Sequence, residues 1–293
     1  MYKPEGILVA MVTPMTDDEK INEQEMRNQV RRMIMAGIHG IFCLGTNGEF
    51  YALDYQEKIE VMEIVVDECK GRVPVCAGTG CITTSETIKL SKEAHKIGVD
   101  AISVITPFFV TVSQDELYKH YAKIAESIEL PMILYNIPER TRNSIDYKTV
   151  AKLSQLSNIV GIKDSSGNFD NTLRYLEETE RNFAVMSGND SLILWTLMAG
   201  GKGGVSGIAN LFPETLVKIY ELWGEGKIEE AIKIQNSIRP IRDTLKFANP
   251  NSVIKRAMNL LGYPVGPARE PVSIIPKRLD EELKMVLNLY QIK

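Results

Sequence analysis

The sequence predicts an α/β fold in which eight parallel strands close into a (β/α)8 barrel, a TIM barrel, with a helical extension at the C-terminus. Three observations predict it. Short apolar runs alternate with longer amphipathic segments along most of the chain. The runs are apolar on both faces, which is typical of parallel strands covered by helices. Eight such pairs in a chain of 293 residues fit a closed barrel better than an open sheet.

Each apolar run precedes a segment with helical periodicity. The runs "GILVAMVTP", "GIFCLGT", "VPVCAGTG" and "AISVITPFF" precede predicted helices at 23–36, 54–69, 85–97 and 113–128. The runs "PMILYNIP", "NIVGIKDSS", "FAVMSGND" and "GGVSGIAN" precede predicted helices at 147–156, 169–180, 191–198 and 213–223. Two starts carry explicit signals, because Ser113 and Glu116 match a capping box and Pro213 suits a first helical turn.

The pattern changes after Gly226. The segments "KIEEAIKIQNSIRPIRDTLKF", "SVIKRAMNLLG" and "LDEELKMVLNLYQI" are helical in period, and no strand-like run separates them. We therefore predict a barrel at 1–226 and a C-terminal helical extension at 227–293, packed on the barrel or on a neighbouring subunit.

The composition excludes several classes of function. The net charge of −4, without long runs of like charge, predicts neither a nucleic-acid partner nor a membrane partner. The N-terminus "MYKPEGILVA" lacks the pattern of a signal peptide. The four cysteines have no CxxC spacing, and the three histidines are scattered. We therefore expect buried thiols in a cytoplasmic protein and no histidine- or cysteine-based metal site, although carboxylate ligands stay open.

A lysine stands at the end of the sixth apolar run, in "VGIKDSSGN". One interpretation is that the strand ends there and the side chain of Lys163 reaches water. The other is that burial favours its neutral amine, which is a nucleophile. The barrel puts Lys163 at the C-terminal ends of the strands, where catalytic groups of this fold lie. Other polar residues predicted at the same end are Thr13, Thr46, Asn47, Glu49, Thr79, Thr106, Tyr135, Asn136, Arg140, Ser187, Asn189 and Asp190.

Two further motifs follow strand-like runs, each with a structural alternative. In "LGTNGEF", Gly45 and Gly48 would serve a strand-to-helix turn, with Glu49 favouring the helix start. In "LYNIPERT", Tyr135 would be a core aromatic with a satisfied hydroxyl. Taken alone, neither motif separates these interpretations from a catalytic one.

Taken together, "GTNGE", "YNIPERT" and "GIKDSSG" resemble the dihydrodipicolinate synthase / N-acetylneuraminate lyase family of pyruvate aldolases, and "SGND" and "NPNSVIKRAMNLLG" resemble it too. The resemblance covers essentially the whole chain. It implies a barrel with C-terminal helices and a homotetramer built as a dimer of dimers. It also implies that Lys163 forms an imine with pyruvate and that Tyr135, linked to Thr46, relays protons. No cofactor is then needed beyond the covalent imine. The substrate-binding residues that it implies are Asn47, Arg140, Gly188 and Val205.

The chain departs from the family's synthases in ways that leave the substrate open. Those synthases carry a second tyrosine in a "TPYY"-like run, where this chain has Phe108 and Phe109. Asn47 replaces a second threonine, and Arg142 replaces a glycine. Arg140 favours a synthase, because its counterpart binds the carboxylate of the acceptor aldehyde; its alternative is a surface ion pair with Glu139 or Asp146.

Four functions therefore stay open. One is a 4-hydroxy-tetrahydrodipicolinate synthase that condenses pyruvate with aspartate semialdehyde. The others are a 2-keto-3-deoxy sugar acid aldolase, an N-acetylneuraminate lyase, and a non-catalytic barrel that binds 2-oxo acids or serves as a scaffold. A dehydratase on the same imine is a smaller variant. Joint presence of Lys163, Tyr135 and Thr46 argues against the non-catalytic barrel.

Overall fold

Eight parallel strands form one closed barrel in chain order. The computed structural model describes residues 2–246, 248–272 and 275–290. The strands are β1 (Gly6–Ala10), β2 (Gly40–Cys43), β3 (Val75–Gly78), β4 (Ala101–Ile105), β5 (Met132–Asn136), β6 (Ile159–Asp164), β7 (Ala184–Ser187) and β8 (Gly203–Ser206). Each lies inside one of the eight apolar runs, and β1 pairs with β8 to close the barrel. The predicted fold class is confirmed.

Helices surround the barrel and continue beyond it. They are α1 (Glu23–Met35), α2 (Tyr55–Cys69), α3 (Thr84–Ile97), α4 (Gln114–Ser127), α5 (Pro138–Thr141), α6 (Tyr147–Leu153), α7 (Phe169–Glu178), α8 (Ile193–Met198), α9 (Pro213–Gly224), α10 (Ile228–Ser237), α11 (Arg239–Thr244), α12 (Pro250–Leu260) and α13 (Lys277–Asn288). In the parts of the chain that the structure describes, none is long and apolar enough to cross a membrane.

The predicted helix signals act as expected. Ser113 accepts a hydrogen bond from the backbone N–H of Glu116, whose carboxylate accepts one from the Ser113 backbone, so this capping box starts α4. Asp54 and Glu57 form a second capping box at α2. The structure adds the one-turn helix α5 after β5, which the periodicity did not indicate because four residues are too few to show one.

The core has two layers. Inside the barrel, the strands contribute one apolar cluster: Leu8, Ala10, Phe42, Cys76, Ala101, Ile133, Met186 and Val205. Tyr2 packs against this cluster. A larger layer lies between the strands and the helices. Because successive side chains of a strand point to opposite faces, each strand serves both layers.

The described chain after Gly226 consists of the helices α10 to α13 joined by turns and irregular segments, the longest of them at 261–272. Its first predicted segment is two helices, α10 and α11, since Pro240 lacks the N–H that would continue one helix through it. Pro250 starts α12 two residues before the predicted segment. Arg256 of α12 and Asp280 of α13 form an ion pair. Met1, Phe247, Ser273, Ile274 and residues 291–293, parts of both predicted units, lie outside the described residues.

Candidate active site

A cavity of about 320 Å³ opens at the C-terminal ends of the strands. Thr46 and Asn47 follow β2, and Tyr135 and Lys163 are each the last residue but one of β5 and β6. The other lining residues are Ala10, Ile137, Glu139, Arg140, Ser165, Ser166, Gly167, Gly188, Asn189, Asp190, Val205, Gly207, Arg242, Leu245, Lys246, Ala248, Asn249, Pro250 and Ile254. The barrel and the helices after it thus enclose one space.

Lys163 is buried between two aromatic rings. Its side chain is 5% exposed, and its Nζ lies 4.0 Å from the centre of the Tyr135 ring and 4.7 Å from that of Phe42. Tyr135 is the register partner of Lys163 in the neighbouring strand, so both side chains enter the barrel. Aromatic faces stabilise a nearby cation, so the same pocket suits a positively charged iminium.

The Tyr135 hydroxyl contacts the turn after β2. Its oxygen lies 3.2 Å from the Thr46 Oγ1, and either oxygen is able to donate the hydrogen bond. The phenol therefore touches the lysine through its ring and a second hydroxyl through its oxygen. A proton passed along this pair would start beside the amine, which is the position that acid–base chemistry at an imine requires.

Asp164, the next residue on β6, points to the other face of the barrel. It is 4% exposed and accepts five hydrogen bonds from described residues. The donors are the side chains of Asn136, Ser166, Asn171 and Thr172 and the backbone N–H of Ser166. Asn136 in turn accepts from the Ile145 backbone N–H. This network joins the ends of β5 and β6 on the outer face of the barrel.

Gly188, directly after β7, lies against the lysine stem. A Cβ there would stand 1.9 Å from the Ser165 Oγ and 3.0 Å from the Lys163 Cε. Any side chain at this position would displace one of them. The Gly188 N–H also donates to the Asp164 carbonyl at 2.7 Å. The missing side chain keeps space open beside the lysine.

Asp190 carries a buried carboxyl at the cavity wall. Burial raises the pKa of this carboxyl, and hydrogen bonds from the Ser206 hydroxyl and the Ile208 N–H, together with the charge of Arg242, oppose the rise. Arg242 belongs to α11, so the extension contributes charge to the cavity. Among the described residues, no group of three or more His, Cys, Asp and Glu side chains could hold a metal ion.

Most of the residues predicted for the site line this cavity. The residues that come together there are Lys163, Tyr135, Thr46, Asn47, Arg140, Gly188, Val205, Asn189 and Asp190. The other strand-end residues hydrogen-bond within the scaffold instead: the Thr13 hydroxyl to the Gly48 carbonyl, and the Thr106 hydroxyl to that of Thr141. Thr79, Asn136 and Ser187 behave similarly, and Glu49 forms a buried ion pair. Arg140 is exposed at the cavity mouth.

Sequence reasoning missed two contributions. Phe42 was an ordinary apolar residue of its run, and only barrel closure sets it against Lys163. The lining from Asn249, Pro250 and Ile254 lies in "NPNSVIK", which the sequence had singled out without assigning it to the site. The loop after β4 bears Phe108, packed on Phe50, and Phe109, which is 93% exposed with a φ of +75°.

Comparison with known proteins gives consistent matches over the whole chain. The model of the dihydrodipicolinate synthetase family matches residues 3–290. A 4-hydroxy-tetrahydrodipicolinate synthase from Methanopyrus kandleri is 41% identical, with 98% of this chain and 95% of the relative covered. The structure of such a synthase from Methylacidiphilum fumariolicum SolV superposes with a TM-score of 0.96 at 33% identity, covering 99% and 96% of the two chains.

One of the similar structures contains pyruvate. A prophage protein of the dihydrodipicolinic acid synthase family from E. coli K12 was solved in complex with pyruvate. It superposes with a TM-score of 0.95 at 30% identity, and 99% of each chain is covered.

Proposed function

Since this chain belongs to the dihydrodipicolinate synthetase family, we propose that it condenses pyruvate with aspartate semialdehyde through an imine on Lys163, as a 4-hydroxy-tetrahydrodipicolinate synthase does. The observation that carries the proposal is the placement of Lys163, 5% exposed, with its Nζ against the Tyr135 and Phe42 rings at the floor of the cavity. A lysine serving only to reach water would extend out of the barrel instead.

The chemistry begins when the free amine of Lys163 adds to the ketone carbon of pyruvate. A C–N bond forms, and the ketone oxygen leaves as water. The iminium draws electrons from the adjacent methyl group, which loses a proton to give an enamine. The enamine carbon then bonds to the aldehyde carbon of the acceptor, whose oxygen takes up a proton. Addition of water, or of the acceptor's amino group, to the imine carbon releases Lys163.

Tyr135 is the proton carrier that the geometry favours for these steps. Its ring touches the amine, and its hydroxyl is 3.2 Å from Thr46. The phenol is therefore able to donate to the departing or forming oxygen while Thr46 holds it in place. A non-catalytic barrel would have no use for this hydroxyl pair beside a buried lysine.

The remaining proposed residues bind the two acids. Asn47, Gly188 and Val205 surround the space beside Lys163 where the pyruvate carboxylate would lie. Arg140 on α5 stands at the mouth, where a planar guanidinium would clamp the carboxylate of the acceptor. The proposal needs no metal and no separate cofactor, because the electron sink is the imine itself.

A second candidate function is supported by the loop after β4. Phe108 and Phe109 offer no hydroxyl where a synthase-type loop would offer one. A proton relay that ends at Thr46 is shorter than one that includes a second tyrosine, and it suits a 2-keto-3-deoxy sugar acid aldolase. Both candidates share the Lys163 imine, so they differ only in the acceptor.

The same proposal includes assembly into a homotetramer of cytoplasmic subunits, each with a barrel at 1–226 and an extension at 227–293. Two exposed apolar surfaces support it. One is the Phe109 side chain in the loop after β4. The other is a groove between α7 and α8, which is formed by Phe169, Leu192, Trp195, Met198 and Ala199. Apolar patches of this kind commonly mark protein–protein contacts. Met198→Asp should reduce the oligomer size measured by sedimentation, and an unchanged size would exclude the groove.

Two measurements test the reaction. Borohydride in the presence of pyruvate should add the mass of one reduced pyruvate to the protein, and peptide mapping should place it on Lys163. A panel that couples pyruvate consumption or release to aspartate semialdehyde and to sugar acids should then identify the acceptor. An adduct on another residue, or none, would refute the imine.

Arg140→Ala separates the two acceptors. If Arg140 clamps the acceptor carboxylate, kcat/KM for aspartate semialdehyde should fall on the order of ten- to a hundredfold, while pyruvate trapping stays unchanged. Arg140→Lys should recover only part of the loss. Arg174→Ala, on the surface of α7, is the control. Equal kinetics for wild type and Arg140→Ala would favour the sugar-acid aldolase.

A further inference from the structure

A buried ion pair joins the turn after β2 to the C-terminal extension. Lys255 Nζ lies 2.5 Å from Glu49 Oε1, and the two side chains are 1% and 0% exposed. The other Glu49 oxygen accepts from the Arg269 backbone N–H at 2.8 Å, and Lys255 also donates to the Pro267 carbonyl. Glu49 has a φ of +57°, a conformation that its neighbours must hold in place.

The side chain of Arg269 makes further hydrogen bonds to the same stretch. Its guanidinium donates to both carboxylate oxygens of Glu57 at 2.8 and 2.7 Å, and to the carbonyl of Ala52 at 2.7 Å. Glu57 is already part of the capping box of α2. The stretch from Glu49 to Glu57 is thus bonded to Arg269, which lies 220 positions after Glu49 and 212 after Glu57.

The fastened stretch begins directly after the proposed catalytic turn. Thr46, three residues before Glu49, contacts the Tyr135 hydroxyl. Glu49 donates its backbone N–H to the Thr46 carbonyl, which links the ion pair to Thr46 through one hydrogen bond. On the other side, α12 supplies Lys255 and also brings Ile254 to the cavity wall. One helix therefore borders the cavity and holds the turn.

We propose that Lys255 and Arg269 are positioning residues, which act through Glu49 to hold the Thr46 hydroxyl against Tyr135. This inference rests on the proposed function, since it assigns a device to the proposed proton relay. The set Glu49, Glu57, Lys255 and Arg269 is termed the clamp.

Stability alone does not account for the clamp. Well-packed apolar residues of similar volume often replace a buried ion pair without loss of stability, because two charges must be taken out of water to form it. Burial lowers the pKa of Lys255, and the Glu49 carboxylate opposes that effect. What an ion pair adds over apolar packing is a defined geometry, and the catalytic turn is what lies next to it.

The test is a double-mutant cycle. Glu49→Gln/Lys255→Met removes both charges and retains an acceptor for the Arg269 N–H. It should lower kcat roughly ten- to a hundredfold, since small misplacements of catalytic groups have effects of this order. Thr46→Val should lower kcat as well. Because the clamp acts through Thr46, the triple variant should lose about as much as Thr46→Val alone.

The matched control is Arg256→Met, which breaks the ion pair between α12 and α13 on the same helix. It should keep kcat within about twofold. Arg269→Lys keeps the backbone N–H that donates to Glu49 but loses the planar pair of hydrogen bonds to Glu57, so it provides a milder cycle if the double variant does not fold.

Three results would overturn the proposal. The first is wild-type kcat in a folded clamp variant while Thr46→Val is impaired, which would reject the clamp and leave the relay intact. The second is a triple variant whose loss is the product of the separate losses, which would mean that the clamp acts elsewhere. The third is an unimpaired Thr46→Val, which would reject the relay and the clamp together.

Discussion

The two faces of β6 carry neighbouring charged residues that the fold treats in opposite ways. Lys163 enters the barrel, where aromatic rings surround its Nζ. Asp164 faces outward, where five hydrogen bonds from described residues meet its carboxylate. Both side chains are at most 5% exposed. The outer carboxylate is hydrogen-bonded within the protein, whereas the inner amine lines the cavity.

The difference shows how one strand separates stability from reactivity. Buried polar groups in folded proteins are usually paired, because an unpaired one is destabilising. Asp164 follows this rule and anchors the ends of two strands. Lys163 makes no hydrogen bond to the described residues, as the proposed reaction of its amine with a carbonyl carbon requires. Substitutions on the two faces should therefore affect different measurements.

The largest effect on activity is expected for Lys163→Met. The thioether keeps an apolar side chain between the rings but removes the nucleophile, so turnover should fall on the order of 10⁴-fold or more. The free energy of unfolding should stay the same or rise by about 1 kcal/mol, since the substitution removes a poorly solvated amine. Lys148→Met is the control, because this exposed lysine also lies over a tyrosine ring. A marked loss of stability in Lys163→Met would show that the inner face is structural too.

Tyr135→Phe should have the next largest effect. It removes the hydroxyl that contacts Thr46 and retains the ring over Lys163. Turnover should fall roughly 10²–10⁴-fold, the range for a general acid–base group, while borohydride trapping of pyruvate continues more slowly. Steady-state rates measure turnover, and stopped-flow rates separately measure imine formation with pyruvate. Turnover close to wild type would assign proton transfer to another group or to water.

The smallest effect on turnover is expected for Asp164→Asn. An amide nitrogen replaces one acceptor oxygen and faces donors, so the free energy of unfolding should fall by roughly 3 kcal/mol. Turnover of the folded protein should fall less than about tenfold, because Lys163 keeps its neighbours. Asp170→Asn, at the exposed start of α7, serves as the control in denaturant titrations. An unchanged stability would contradict the structural role assigned to the outer face.

Local sequence patterns predicted the features that depend on one strand or one helix. The apolar run around "VGIKDSSGN" located Lys163 at a strand end, and the capping pattern at Ser113 located the start of α4. The approximate extents of the barrel helices also follow from periodicity, apart from their last turns. These features are fixed by residues close together in the chain.

Features that join distant segments were not predictable in this way. Phe42 faces Lys163 because of how β2 and β6 lie across a closed barrel, and no local pattern encodes that. The local pattern predicts that Glu49 favours a helix start, yet its carboxylate pairs with Lys255 of α12. Helical periodicity predicts one helix across Pro240, but this residue has no N–H to donate and the structure has a break between α10 and α11.

Because a chain is synthesised from its N-terminus, the acidic and basic residues of the clamp are made at different times. Glu49 and Glu57 are synthesised before β3, whereas Lys255 and Arg269 are synthesised after β8. All eight strands precede both clamp cations, so a growing chain holds every barrel strand before the clamp can form around the turn after β2. Chains that terminate within α11 would carry Lys163, Tyr135 and Thr46 but would lack the clamp that we propose to hold Thr46 against Tyr135. Premature termination would thus yield barrels that lack activity, rather than incomplete chains that are already active.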